Sequence, residues 1–123
     1  YDQAVDRLEM AVEQMPDNAS ALNNLGVALI RLGQYGESRQ YLMRLVNRNP
    51  DVAAPYFNVA ITFVMEKDFQ NAMDWIRKGA SRCTPAQCQR FLADTDFESI
   101  RGTPEFMEVV DSLYPDLPAG PRG

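Results

Sequence analysis

The sequence predicts an all-α domain built from repeated pairs of helices, and three observations support this prediction. Apolar residues recur three and four positions apart along most of the chain, which is the spacing of amphipathic helices. Around Gly33 this spacing predicts one helix over residues 19–32 and a second over residues 35–49, joined by a tight turn. The pair recurs after a shift of 34 residues, and a fixed period of this size is typical of helix-turn-helix repeat arrays.

The 34-residue shift places chemically similar residues on one another. Gly26 lies inside a predicted helix, where glycine costs about 1 kcal/mol relative to alanine, so we expect another backbone to approach closely there. The matched residues are Asn24 with Asn58, Leu25 with Val59, Gly26 with Ala60, Leu29 with Phe63, Tyr35 with Tyr1 and Phe69, Ser38 with Ala4 and Ala72, Leu42 with Leu8 and Ile76, and Pro50 with Pro16.

These positions resemble the tetratricopeptide repeat, whose pattern is a Leu-Gly pair, a large residue three later, an aromatic residue after the turn, then Ala, a large apolar residue, Ala and Pro. The resemblance covers residues 1 to about 86 and implies a right-handed superhelix of antiparallel helix pairs. It divides the chain into a partial first repeat (1–18), a second (19–52) and a third (53–86). Leu45 departs from the pattern, because a small residue is expected there, and Thr84 replaces the closing proline.

The first repeat is incomplete, since Tyr1 aligns with the aromatic residue that follows the turn. We therefore expect a fragment in which the helix over residues 2–14 lacks its partner helix. Uncovered apolar surface on such a helix favours self-association, so a homodimer through the N-terminal helix is one prediction. The residues expected to face inward are Ala4, Leu8, Ala11 and Val12.

Turn and capping residues predict the remaining helix boundaries. Asp17 or Asn18 is expected to cap the helix that begins at residue 19, and we prefer this interpretation to a glycosylation site at the sequon that begins with Asn18. Asp68 marks the turn inside the third repeat, between helices predicted over residues 53–67 and 69–83.

The 34-residue register fails after Thr84, and we expect a different ending to the array. A short helix over residues 85–93 precedes a segment similar to the Asp-x-Asp-Phe/Leu-x-x-Leu-Arg…Phe pattern that often closes such arrays. Residues 87–114 are expected to form a helical cap, because the end of a solenoid exposes an apolar face. Arg101 is expected to anchor this cap through a carboxylate or helix-end carbonyls. The cap residues expected to pack on the third repeat are Phe97, Ile100 and Phe106.

Composition restricts the classes of function. The chain has 123 residues, of which 46% are hydrophobic and 24% charged, as is ordinary for a globular domain. Its net charge of −5 disfavours nucleic acid or an anionic membrane as the main partner. No apolar run approaches the roughly 20 residues of a spanning helix, so we expect no direct membrane insertion. The Pro- and Gly-rich tail over residues 115–123 is expected to be disordered.

Few side chains suit catalysis or metal binding. The sequence has no histidine, which is the usual general base and the commonest metal ligand. Asp94 and Asp96 lack the spacing of an EF-hand calcium loop, and the glycines do not form a phosphate loop after a strand. We therefore predict that the chain is not an enzyme and that it uses no cofactor or metal.

Cys83 and Cys88 are the two cysteines of the chain, and two interpretations stay open for them. Their four-residue spacing matches neither a zinc site nor a thioredoxin motif. Either they are reduced and partly buried, as in a cytosolic protein, or they form a local disulfide that pins the cap. Localisation depends on that choice: cytoplasmic with thiols, periplasmic or lumenal with a disulfide.

The resemblance implies that the first helix of each repeat lines a concave face on which ligands bind. Asn24 and Asn58 are repeat-equivalent, and members of the family commonly use this asparagine to bind a peptide backbone, since an amide both donates and accepts hydrogen bonds. In the alternative interpretation these asparagines bond within the array. The candidate peptide-binding residues are Asn23, Asn24, Val27, Ile30, Arg31, Phe57, Asn58, Ile61, Val64 and Met65.

The predicted function is that of an adaptor or scaffold module which binds a peptide or helical segment of a protein partner in this groove. A clamp for a C-terminal carboxylate is disfavoured, because Ala54 and Asn58 carry no charge where that clamp has Lys and Arg, and only Arg31 is nearby. Two alternatives remain. The chain is a structural or self-associating segment of a longer solenoid, with its groove filled by its own chain or a second copy, or it is a regulatory domain fused to an upstream enzyme.

Overall fold

The computed structural model describes residues 2–16, 18–93 and 95–113, and every regular element in these ranges is helical. Predictions placed on Tyr1, Asp17, Asp94 and the tail over 115–123 lie outside the described residues. The elements are α1 Asp2–Gln14, α2 Ala19–Arg31, α3 Tyr35–Arg48, α4 Ala54–Met65, α5 Phe69–Ala80, α6 Pro85–Leu92, a 3-10 helix Thr95–Phe97, and α7 Pro104–Leu113. The prediction of an all-α repeat fold is confirmed. None of the described helices has the length and apolar character needed to span a membrane.

Side chains at the helix ends determine where the helices begin and stop. The Asn18 side chain accepts a hydrogen bond from the Ala21 N–H at 2.9 Å, which confirms the predicted cap of α2. Thr84 and Gln87 form a reciprocal capping box at the start of α6. The helix predicted over 69–83 ends earlier, at Ala80, because the Ser81 and Arg82 side chains donate hydrogen bonds to the Lys78 carbonyl.

The turns inside the second and third repeats have the same backbone geometry. Gly33 has a φ of 79°, a left-handed conformation that glycine adopts at little cost. Its equivalent 34 residues later, Lys67, has a φ of 63°. Both turns close with the same pair of hydrogen bonds, from Gly33 and Gln34 to Ile30 and Leu29, and from Lys67 and Asp68 to Val64 and Phe63. The 34-residue period therefore extends to the backbone.

Consecutive helices pack against one another, so that α2 pairs with α3, α3 with α4, and α4 with α5. At Gly26 a Cβ atom would lie 2.6 Å from both Cγ and Cδ2 of Leu42, and the Ser38 hydroxyl donates a hydrogen bond to the Gly26 carbonyl at 2.6 Å. A close approach at Gly26 is thus present, but the Leu42 side chain makes it rather than the backbone that we expected. Gly79 has a similar role in the third repeat, where a Cβ would lie 2.9 Å from the Phe57 ring.

The buried side chains form two clusters. The N-terminal cluster joins α1, α2 and α3 through Val5, Val12, Ala21, Leu22, Leu25, Ala28, Leu29 and Leu45. The C-terminal cluster is larger and joins α4 and α5 to the cap; its members include Phe57, Ile61, Val64, Met73, Ile76, Phe97, Ile100, Phe106 and Val109. Leu45, which departs from the repeat pattern, therefore packs between the first and second repeats.

The inward face of α1 differs from the predicted set. Val12 is buried, while Leu8 and Ala11 are half-buried, but Ala4 is exposed. The prediction for Ala4 is wrong because no described helix covers this face of α1. The equivalent residues Ser38 and Ala72 are buried, because α2 and α4 cover the corresponding faces of their repeats.

The cap packs on the third repeat as expected. The 3-10 helix contacts α4, and α7 contacts α5. Phe97 and Ile100 are fully buried in the C-terminal cluster, and Phe106 is nearly so. The Arg101 Nη2 donates a hydrogen bond to the Leu92 carbonyl at 3.1 Å, which confirms that Arg101 anchors the cap at a helix end. The repeat and cap boundaries themselves stay predictions.

Candidate functional site

The ten candidate residues lie on α2 and α4, and their side chains fall into three classes of solvent exposure. Those that solvent reaches freely are Asn24, Arg31 and Met65, and the half-buried ones are Asn23, Val27 and Asn58. The buried ones are Ile30, Phe57, Ile61 and Val64.

The four buried candidates belong to the C-terminal cluster and do not line an open groove. Phe91 of α6 stacks on Phe57 with 4.6 Å between ring centroids and 12° between ring planes. The 3-10 helix packs on α4 as well, and its Phe97 is buried in the same cluster as Ile61. The chain's own cap therefore covers the apolar side of α4, while the role of the ten candidates in binding stays a prediction.

An amide pair bridges the accessible parts of α2 and α4. Asn58 Nδ2 donates a hydrogen bond to Asn23 Oδ1 at 3.1 Å, and both side chains are only half-buried. Among the described residues, no partner binds the Asn58 Oδ1 or the Asn23 Nδ2, so the pair retains the Asn58 Oδ1 acceptor and three N–H donors, two on Asn23 Nδ2 and one on Asn58 Nδ2. Asn24, the residue expected to act together with Asn58, lies exposed beside this pair.

An ion pair joins the C-terminal end of α2 to the cap. Arg31 Nη1 lies 3.4 Å from Asp96 Oδ2, where the Arg31 side chain is 47% exposed and that of Asp96 is 14% exposed. Asp96 belongs to the cap, so this contact fastens the cap to the second repeat. An ion pair with such an exposed cation contributes about 0–1 kcal/mol to stability.

The two cysteines lie where α5 meets α6, and both are free thiols. Burial raises the pKa of the Cys83 thiol to about 11, and the neighbouring Cys88 thiol contributes further to the increase. Cys83 is therefore protonated near neutral pH, which makes it a poor nucleophile. No group of three metal-binding side chains occurs among the residues that the structure describes.

Two neighbouring clefts lie near the start of α4, one of them lined by Asn23, and sequence reasoning missed most of their residues. The Asn23 cleft has a volume of about 310 Å³ and is lined by Ala19, Ser20, Asn23, Leu45, Asn49, Val52, Ala54 and Pro55. The arginine cleft has a volume of about 470 Å³ and is lined by Val52, Ala53, Ala54, Arg82, Cys83, Gln87, Arg90 and Phe91. Val52 and Ala54 line both clefts, which are therefore neighbours on the surface. Val52 lies in a loop between repeats, outside any helical periodicity, and its signal in the sequence was a lone apolar residue after Pro50-Asp51.

A comparison with protein families gives one match. The family model for the tetratricopeptide repeat matches residues 1–59. The matched segment contains α1, α2 and α3 and the first half of α4, and it includes the amide pair.

Proposed function

We propose that this chain, whose residues 1–59 belong to the tetratricopeptide repeat family, is an adaptor that binds a peptide segment of a protein partner across α2 and α4. Tetratricopeptide repeats are generally protein–protein interaction modules, and they are typically not catalytic. The proposal adds two specific points to this general role: the position of the binding site and the conformation of the bound segment.

The observation that carries the proposal is the half-buried amide pair Asn23–Asn58 with its unused donors and acceptor. Two amides held against each other across neighbouring repeats are suited to bind the N–H and C=O groups of an extended peptide. The exposed Asn24 and the half-buried Val27 adjoin the pair on α2. Because the apolar residues of α4 are covered by the cap, this surface favours an extended segment over an amphipathic helix.

The experiment is a photo-crosslinking comparison in cells that produce the full protein. A photoreactive amino acid at position 27 captures the partner, and the same probe is placed in the Asn24→Ala/Asn58→Ala variant, so that the two proteins differ only at the asparagines. We expect capture to fall about thirtyfold, since two hydrogen bonds of about 1 kcal/mol each are lost. Gln40→Ala, which removes an exposed amide from α3, serves as the matched control.

Stability is measured in parallel, because the outcome depends on it. If the asparagine variant unfolds more easily but captures the same amount of partner per folded molecule, the amides are structural and the proposed site is wrong. If Gln40→Ala lowers capture equally, the loss is not specific to the site.

A second candidate function is self-association through α1. Met10 and Met15, in this helix and just after it, are both 59% exposed, and Ala4 lies uncovered on the face that is buried in the other two repeats. Exposed apolar surface of this kind favours contact between two copies. Light scattering over a range of protein concentrations tests it: a constant monomer mass excludes the dimer and leaves the adaptor.

A further inference from the structure

The arginine cleft lies where the start of α4, the junction of α5 and α6, and α6 meet, and it shares Val52 and Ala54 with the Asn23 cleft. Its volume of about 470 Å³ falls in the range of sites that hold a small ligand or a few side chains. Two guanidinium groups line it, although the chain as a whole carries a net charge of −5.

The guanidinium of Arg82 is held in a fixed orientation. Its Nε donates to the Pro50 carbonyl at 2.8 Å, and its Nη1 donates to the Lys78 carbonyl at 2.9 Å. The Tyr56 ring lies beneath it, with 4.6 Å from the guanidinium carbon to the ring centroid. These contacts use neutral acceptors and leave the two N–H groups of Nη2 without a partner among the described residues. Such a preorganised group loses little entropy when it binds a carboxylate.

Arg90 supplies the second charge. It is exposed on α6 and makes no ion pair with any residue that the structure describes. Asp51 is the acidic residue next to Val52 in the sequence, and it is exposed, pairs with neither arginine and does not line the cleft. The positive charge of the cleft is therefore not neutralised within the described chain.

The rest of the lining is largely apolar. Val52 is 50% exposed, which is unusual for a large apolar side chain, and the half-buried Phe91 is held in place by its stacking on Phe57. An apolar side chain of a guest would contact Val52 and Phe91, while a neighbouring carboxylate would accept charge-assisted hydrogen bonds from the arginines.

We propose that the arginine cleft binds an acidic side chain, aspartate or glutamate, that lies next to an apolar residue in a partner peptide. Because Val52 and Ala54 line both this cleft and the Asn23 cleft, a segment that passes over these two residues would reach both clefts. The inference thus rests on the proposed function for the class of partner, but it depends on different residues.

The experiment measures binding of labelled peptide libraries to the full chain by fluorescence anisotropy. Three libraries of short, end-blocked peptides carry an apolar residue flanked by Asp and Glu, by Asn and Gln, or by Lys and Arg. We expect the acidic library to bind most tightly. We expect Arg82→Gln/Arg90→Gln to weaken its binding by about ten- to a hundredfold, as is typical for loss of a charged hydrogen-bond donor. The double variant Arg7→Gln/Arg44→Gln changes the net charge equally on α1 and α3 and serves as the control, with little effect expected.

Three outcomes would overturn the inference: equal binding of the acidic and amide libraries, equal loss in both double variants, or no loss in Arg82→Gln/Arg90→Gln. Arg90→Gln alone removes no described contact, so it tests the cleft even if loss of Arg82 lowers stability. If the arginine variants have no effect while Asn24→Ala/Asn58→Ala still lowers partner capture, the arginine cleft is wrong and the proposed function stands. A fourth library with a free carboxyl end tests whether the cleft binds a C-terminal carboxylate instead. Stronger binding of this library than of the acidic library would contradict the assignment to an acidic side chain.

Discussion

The first helices of the second and third repeats, α2 and α4, are equivalent in the 34-residue period but differ in what surrounds them. Val27 in α2 is half-buried, whereas its equivalent Ile61 in α4 is almost completely buried. Asn23 is also partly accessible, but its equivalent Phe57 lies beneath Phe91. The difference arises because the cap covers α4, whereas on α2 it pairs with Arg31 at the helix end.

This comparison shows that position within a repeat does not decide whether a residue is available to a partner. Accessibility depends on which segment packs on the repeat, and the polarity of the side chains at equivalent positions differs accordingly. At three equivalent positions α2 carries Asn23, Val27 and Arg31, and α4 carries Phe57, Ile61 and Met65. A helix that is apolar on most sides is buried on most sides, so α4 is a core helix and α2 is the helix with a free face.

The largest effect is expected from removing the cap's contact with α4. Phe97→Ala deletes a fully buried ring, so we expect it to lower the free energy of unfolding by about 3–5 kcal/mol. Val27→Ala on the free face of α2 is the control, and less than about 1.5 kcal/mol is expected because the side chain is half-buried. Urea denaturation measures both. Similar losses for the two variants would mean that the cap does not cover the third repeat.

A smaller effect is expected where α2 and α3 approach closely. Gly26→Ala places a methyl group against the buried Leu42, and the resulting overpacking should destabilise the fold by about 1–2 kcal/mol after the gain in helix propensity. Gly36→Ala meets open space in α3, so it should stabilise the fold by up to about 1 kcal/mol. Thermal unfolding of both variants checks the opposite signs. A stabilising Gly26→Ala would show that this position tolerates alanine as Ala60 does in the third repeat.

The contact that links the cap to α2 should contribute less. In a double-mutant cycle of Arg31→Gln and Asp96→Asn, we expect a coupling energy below about 1 kcal/mol, decreasing with added salt. The cycle uses denaturation midpoints at low and high salt. A coupling of several kcal/mol that salt leaves unchanged would indicate that this pair, rather than the apolar cluster, holds the cap in place.

An effect confined to alkaline pH concerns Cys83, at the junction of α5 and the cap. The folded chain holds its thiol proton more tightly than the ordinary pKa of 9.0 implies, since that pKa is raised to about 11. The contribution of the protonated Cys83 thiol to the free energy of unfolding is therefore fully present below pH 9 and is lost as the pH rises toward 11. The pH dependence of the unfolding midpoint measures this, with Cys83→Ser as the comparison. An equally steep decline in both proteins would assign the loss to other groups.

Reactivity gives an independent check on the same thiol. With its pKa near 11, Cys83 should react with iodoacetamide at pH 8 about a hundred times more slowly than an ordinary cysteine, because the thiolate fraction falls in proportion. Mass spectrometry of the peptide that contains Cys83 reports the rate. A rate equal to that of a free cysteine would contradict the raised pKa.

Much of the fold was predictable, because periodicity and capping are local properties of the sequence. The Asn18 cap and the anchor at Arg101 were expected from single residues and are confirmed, and Gly26 marks a close approach, although by the Leu42 side chain rather than by a backbone. The error at Ala4 arises because burial is not a local property of the sequence. A residue expected to face inward is exposed because burial also needs a neighbouring helix, which the periodicity of α1 does not supply.

The candidate site was less predictable, since it depends on contacts distant in sequence. Ile30, Phe57, Ile61 and Val64 lie on the predicted helices but are buried in the C-terminal cluster, and the cap residues of that cluster do not follow the 34-residue register. The arginine cleft depends on Arg82 and Arg90, which lie on either side of the α5–α6 junction and acquire their common position only when α6 turns back at the capping box of Thr84. Neither arginine belongs to a pattern along the chain that would mark it.

The central claim is that α2 has a free face whereas the equivalent face of α4 is covered by the cap. Its most direct test is the rate of maleimide labelling of Val27→Cys and Ile61→Cys, two equivalent positions, in the folded protein at neutral pH. We expect Val27→Cys to be labelled at least about ten times faster, because Ile61→Cys becomes accessible only through local opening of the cap. Equal rates in two variants that circular dichroism shows to be folded would contradict the claim.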